Sequence, residues 1–306
     1  MPYAEFGHIR LCYEVSGPEA GETLLLIHGL GAQLIAWYPG FCQALEEQGF
    51  RVIRFDARDV GLSTKLGDDA VYELSDMAAD AFALLDALGI DRVHLIGQSM
   101  GGLVAQLMAI ERPERVKSVC TIYSAPSPAF LIEDDEEVRA VLNQPPARDR
   151  DSAIRRWIQN ERLSGLDGFD QPWIEEFAAA VYDRGYCPEG FQRQARALRN
   201  CRDLTPELGQ LKVPLAVIHG RNDRMISFQG GVATAMAVPN AELHVYADMG
   251  HQVKPDLWND FVRVIVRNTS RADTHPSSAS NEPQGAQRAS PVRAKDGIDE
   301  MQTTFN

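Results

Sequence analysis

The sequence predicts an α/β fold, with a mostly parallel central sheet flanked by helices and an inserted helical cap. Three observations predict it. Short apolar runs alternate with amphipathic stretches over residues 1–125, the same rhythm returns over 207–268, and the 126–206 segment between them shows helical patterns without strands. At 306 residues, 44% of them apolar, the chain can bury one large core and still carry an insertion.

Residues 9–15 read as an early edge strand. The run Leu24-Leu25-Leu26-Ile27 is apolar throughout, as a strand buried on both faces must be. A helix follows over 37–48, closed by Gly49, and Arg51-Val52-Ile53-Arg54-Phe55 is the next strand. Met77, Ala81, Leu84, Leu85 and Leu88 share one helical stripe, with Ser75 as cap and Gly89 as stop. Val93-His94-Leu95-Ile96 is a strand, the helix after it stops near Pro113, and 116–123 is another strand. In the insertion, 149–163, 172–184 and 188–201 are helices set off by Gly and Pro. The acidic run Glu133-Asp134-Asp135-Glu136-Glu137 reads as the solvated first turn of a helix in preference to a cation site. Strands return at 213–218 and 242–246, and 256–266 is a last helix. The 269–306 tail is Ser, Pro, Gln and Ala with mixed charge, too poor in apolar surface to offset its ordering entropy, and is expected to be disordered.

The chemistry concentrates at Gly97-Gln98-Ser99-Met100-Gly101, between a strand and a helix. That context makes G-x-S-x-G a nucleophile elbow, in which a strained turn lifts the serine Oγ clear of the sheet at a helix N-terminus. A serine hydroxyl is a weak nucleophile and needs a histidine base, itself oriented by a carboxylate. Asp223 and His251 each follow a later strand, where strand ends open onto the same face as the elbow. Asp203 and Asp248 compete for the acid; His244 lies within a strand and His275 in the tail, while His219 is expected to bond locally. An oxyanion needs two N–H donors, here the backbone of Met100 and of Leu30 in His28-Gly29-Leu30-Gly31. The turn Asp56-Ala57-Arg58-Asp59-Val60-Gly61-Leu62-Ser63-Thr64 reads as structural, since no base accompanies its carboxylates.

Other classes are disfavoured. The formal net charge of −13 repels nucleic acid and anionic membranes, so the expected partner is a small-molecule substrate. No stretch approaches the length of a membrane span and no signal peptide opens the chain, which makes cytoplasmic the expected location. Five scattered cysteines offer neither a C-x-x-C pair nor a metal-ligand cluster, and the elbow lacks the lysine of a P-loop; no metal or cofactor is expected. The oligomeric state is left open.

Taken together, the 28–31 loop, the 56–63 turn, the 97–102 elbow, His219-Gly220-Arg221-Asn222-Asp223 and Gly250-His251 resemble the α/β-hydrolase superfamily over roughly residues 8–268. The turn from Arg58 to Thr64 with the Ser-Met-Gly elbow is similar to the branch containing aclacinomycin methylesterase. The resemblance implies the α/β-hydrolase fold, a triad of Ser99, Asp223 and His251, and an oxyanion hole at Leu30 and Met100. The expected activity is hydrolysis of a carboxylic ester through an acyl-enzyme. A methyl ester of a bulky hydrophobic acid suits the insertion's Trp157, Phe169, Trp173, Phe177, Tyr182, Tyr186 and Phe191. The same triad also serves hydrolysis of a carbon–carbon bond, a lactone or a thioester, and a ligand-binding protein on a hydrolase scaffold is a further alternative.

Overall fold

A computed structural model describes residues 1–142, 146–147, 149–165 and 171–273. Eight strands form one sheet: β1 (Tyr3–Phe6), β2 (Ile9–Ser16), β3 (Thr23–Ile27), β4 (Arg51–Phe55), β5 (Val93–Gln98), β6 (Val116–Ile122), β7 (Leu215–Gly220) and β8 (Ala241–Tyr246). Their order is β1-β2-β4-β3-β5-β6-β7-β8, antiparallel at β1–β2 and β2–β4 and parallel elsewhere. Side chains alternate across a strand, so Leu25 and Ile27 of β3 enter one apolar cluster while Leu24 and Leu26 enter the other. The first cluster packs under α2 (Leu74–Ala87) and α3 (Met100–Glu111), the second under α1 (Pro39–Glu46) and α10 (Trp258–Asp273). Both faces of the sheet are covered at its centre, which is why β3 is apolar from Leu24 to Ile27.

The strand at the N-terminal edge is β1, which the sequence pattern does not single out; it pairs with β2 through a turn at Gly7. Glu73, not Ser75, caps α2, in a reciprocal capping box with Asp76. Helix α9 (Phe228–Ala237) and the short α8 (Thr205–Leu208) are additions to the expected elements. The last helix carries on to Asp273, five residues past 268, because its inner face still has work: Asn268, 1% exposed, donates its Nδ2 to Val119 O of β6 at 2.9 Å. Asn268→Ala removes that buried hydrogen bond, and thermal unfolding should show a loss of about 0.5–1.5 kcal/mol. An unchanged Tm would mean the bond contributes nothing. Residues 274–306, including His275, lie outside the described residues, as does Phe169.

Between β6 and β7 lie α4 (Glu136–Leu142), α5 (Arg150–Leu163), α6 (Gln171–Gly185) and α7 (Pro188–Arg199). The acidic run opens α4, with Asp135 accepting from the N–H groups of Glu137 and Val138 and pairing with Arg224. The helical segment is fastened to the turn after β4. Arg193 reaches Asp59 at 2.8 and 2.9 Å, Arg184 reaches Asp56 at 2.9 Å, and Gln194 bridges Arg58 O and the Gly31 N–H. Asp56 also accepts from the N–H groups of Leu34 and Leu62, while Arg58 pairs with Asp80 of α2. The carboxylates of this turn therefore hold loops and the insertion in place.

Candidate active site

The turn from β5 into α3 holds Ser99 at φ 54° and ψ −125°, a left-handed conformation that a non-glycine residue adopts only when its surroundings enforce it. Close approach supplies the enforcement. A Cβ on Gly97 would stand 2.3 Å from Gly101 O, and one on Gly101 would stand 2.3 Å from Ile27 O. Only glycine permits so tight a reversal against β3.

His251, in the loop after β8, sets Nε2 at 2.9 Å from Ser99 Oγ and Nδ1 at 2.8 Å from Asp223 Oδ2. Asp223, in the loop after β7, is buried; its Oδ1 accepts from the N–H groups of Met225 and Ile226 at 2.8 and 3.0 Å. Burial alone would raise its carboxyl, but the charge of His251 and hydrogen bonds from His219, His251 and the Ile226 N–H hold it far below the usual carboxylate range. The structure thus brings together the three residues that the sequence singles out. The rival acids stand apart: Asp203 accepts from Thr205, and Asp248 is exposed. At the front of the site, Leu30 lines the cavity over Ser99, and Gly29 is so close that a Cβ there would lie 3.1 Å from Ser99 Cβ. Met100 is the first residue of α3, where helix geometry leaves its N–H without an intrahelical acceptor.

Several supporting residues carry no motif. His219, fully buried, places Nε2 at 3.1 Å from Ile226 O and 3.2 Å from Asp223 Oδ2, so its local bonding reaches the acid itself. Tyr123, at φ 39°, packs against His251 with ring centroids 4.4 Å apart and planes inclined at 45°, and donates its hydroxyl to Gln98. From α5 and the residue after it, Ser164 O accepts the His251 N–H at 2.7 Å, and Glu161 accepts from Gln252 Nε2. Burial pushes the Glu161 carboxyl up to about 7, against the lowering effects of His251 and Gln252.

Above Ser99 and His251 opens a cavity of about 520 Å³. Trp157, Phe177 and Phe191 of the insertion line it, together with Tyr38, Leu131 and Leu198. Trp173 instead stacks on Phe177 and meets Tyr38 edge-on, and Tyr182 stacks on Tyr186. Among the described residues no group of three or more His, Cys, Asp or Glu could hold a metal ion, and no helix is long and apolar enough to cross a membrane.

A family model described as the alpha/beta hydrolase fold matches residues 22–256. The chain belongs to the alpha/beta hydrolase family. Among curated relatives, this alpha/beta hydrolase is 30% identical over 248 residues to the "Putative carbamate hydrolase RutD" of Variovorax paradoxus (strain S110), covering 79% of this chain and 89% of that one. It is 27% identical to a 2-hydroxy-6-oxononadienedioate/2-hydroxy-6-oxononatrienedioate hydrolase of Paraburkholderia xenovorans (strain LB400), over 85% of this chain and 90% of the other. Among solved structures, the enol-lactonase from Burkholderia xenovorans LB400 superposes with a TM-score of 0.69 at 26% identity, covering 88% of this chain and 100% of that chain.

Proposed function

We propose that this alpha/beta hydrolase is a serine hydrolase of carboxylic esters whose acyl part is bulky and apolar. The observation that carries the reading is the continuous hydrogen-bonded line from Ser99 Oγ through His251 to Asp223. Ser99 Oγ attacks the ester carbonyl while His251 Nε2 takes its proton. The N–H groups of Leu30 and Met100 receive the oxyanion. As the tetrahedral intermediate collapses, His251 returns the proton to the leaving alcohol, and water activated by the same nitrogen then releases the acid from Ser99. Asp223, ionised, keeps the proton of the neutral imidazole on Nδ1 and leaves Nε2 free to accept. The aromatic wall of the 520 Å³ cavity supports a bulky acyl group, and a small alcohol such as methanol rests on the resemblance of the Arg58 to Thr64 turn to the methylesterase branch.

Carbon–carbon hydrolysis is the second reading, favoured by the relative from Paraburkholderia xenovorans. Its name describes a substrate with hydroxyl, ketone and two carboxylates, in which no ester is present to be cut. The two readings share the triad and differ in substrate.

A fluorophosphonate should label Ser99 stoichiometrically and no other serine, because only an activated hydroxyl attacks phosphorus quickly. Peptide mass spectrometry reads the result, and an adduct elsewhere, or none, defeats the assignment. Comparing kcat/KM for methyl esters of polycyclic aromatic acids, acetate esters, carbamates and a 2-hydroxy-6-oxodienoate then separates the readings. Acetate esters as good as the bulky esters would remove the bulky-acyl element, and preference for the dienoate would establish the second reading.

A further inference from the structure

Helix α5 places one carboxylate at the wall of the cavity above Ser99. Glu161 lines both the main cavity and a neighbouring one of about 220 Å³. Glu161 accepts only from Gln252 among the described residues, through Oε2, which leaves Oε1 open; no described arginine or lysine forms an ion pair with it. Of the titratable groups around it, His251 after β8 lowers it, and it in turn raises Tyr38 before α1 and Tyr123 after β6. Arg139, Arg199 and Glu133 also line the main cavity but are exposed.

We propose that Glu161 forms a subsite for a protonated amino group on an otherwise apolar substrate. This rests on the esterase reading and names its substrate class. An ammonium brings N–H donors to Glu161 Oε1 together with the charge opposite to a carboxylate, and the aromatic wall of Trp157, Phe177 and Tyr38 weakens the competition from water. A carboxylate in the same place would be repelled. A hydroxyl, with one donor and no charge, gains a single hydrogen bond.

Calorimetric titration of the full-length protein with phenethylamine, 2-phenylethanol and 3-phenylpropionate isolates the head group on one apolar body. Phenethylamine should bind at least tenfold more tightly than either other probe at pH 8. Its affinity should fall about tenfold from pH 8 to pH 6, because the carboxyl titrating at about 7 becomes protonated and loses the ion pair. In Glu161→Gln the amine preference and that pH dependence should both disappear, with 2-phenylethanol affinity held within threefold. Equal binding of amine and alcohol by the parent protein, tighter binding of the propionate, or a pH dependence that persists in Glu161→Gln and so belongs to His251, each overturns the subsite. Loss of amine and alcohol binding alike in Glu161→Gln overturns it too, since the residue would then merely hold the wall. Binding needs no turnover, so failure of Ser99 to react with a fluorophosphonate would count against the esterase reading alone.

Discussion

His251→Ala should lower kcat by about 10³–10⁶-fold on any substrate the protein turns over, and Asp223→Asn by about 10⁴-fold, because members of a triad act as a unit. The asparagine variant is the more discriminating. Its carbonyl oxygen can still accept from the N–H groups of Met225 and Ile226, so the loop keeps its shape. An amide nitrogen then faces His251 Nδ1, and a donor there forces the imidazole proton onto Nε2, where it blocks acceptance from Ser99. Steady-state kinetics with circular dichroism as a folding control decides the matter. Turnover near that of the parent protein in either variant, with the fold intact, removes that residue from the triad.

The second large effect is on stability. Asp59→Asn should cost about 3–5 kcal/mol in urea unfolding, because it leaves the Arg193 guanidinium buried without its counter-charge. Asparagine also tolerates the left-handed backbone at Asp59, φ 72°, which separates the charge effect from backbone strain. Burial would raise the Asp59 carboxyl, but Arg193, the Leu66 N–H and the Tyr72 hydroxyl together hold it below its ordinary value. A depressed carboxyl stabilises the fold at pH values above its unfolded pKa of about 3.9, and that contribution drains away as acid titrates the folded group. Acid unfolding of the variant should therefore be shallower than that of the parent. A loss below about 1 kcal/mol would mean that the pair merely balances its own desolvation.

Much of this arrangement was legible in the residues. The strand cores were, because parallel strands covered on both faces must be apolar throughout, as Leu24 to Ile27 are. So were Ser99, Asp223 and His251, each past the C-terminal end of a strand pattern. Helix α9 was hidden by Gly230 and Gly231, poor helix formers; yet a Cβ at Gly231 would meet His219 Nδ1 at 2.6 Å, so packing overrides propensity there. The 56–63 turn could be read as structural, but not as the seat of Arg184 and Arg193, since those partners lie more than a hundred residues away and carry no local signature. Glu161 and His219 were silent for the same reason: their significance comes from a neighbour that only the fold supplies.

The hydrogen bond from the His251 N–H to Ser164 O ties the loop bearing the proposed base to the residue that ends α5. Gly250 packs there so closely that a Cβ would lie 2.7 Å from the same carbonyl. A rearrangement of the insertion that moved Ser164 would therefore also move the loop that carries the proposed base. Under the proposed function, substrate choice and proton transfer would then share one backbone joint, at Ser164.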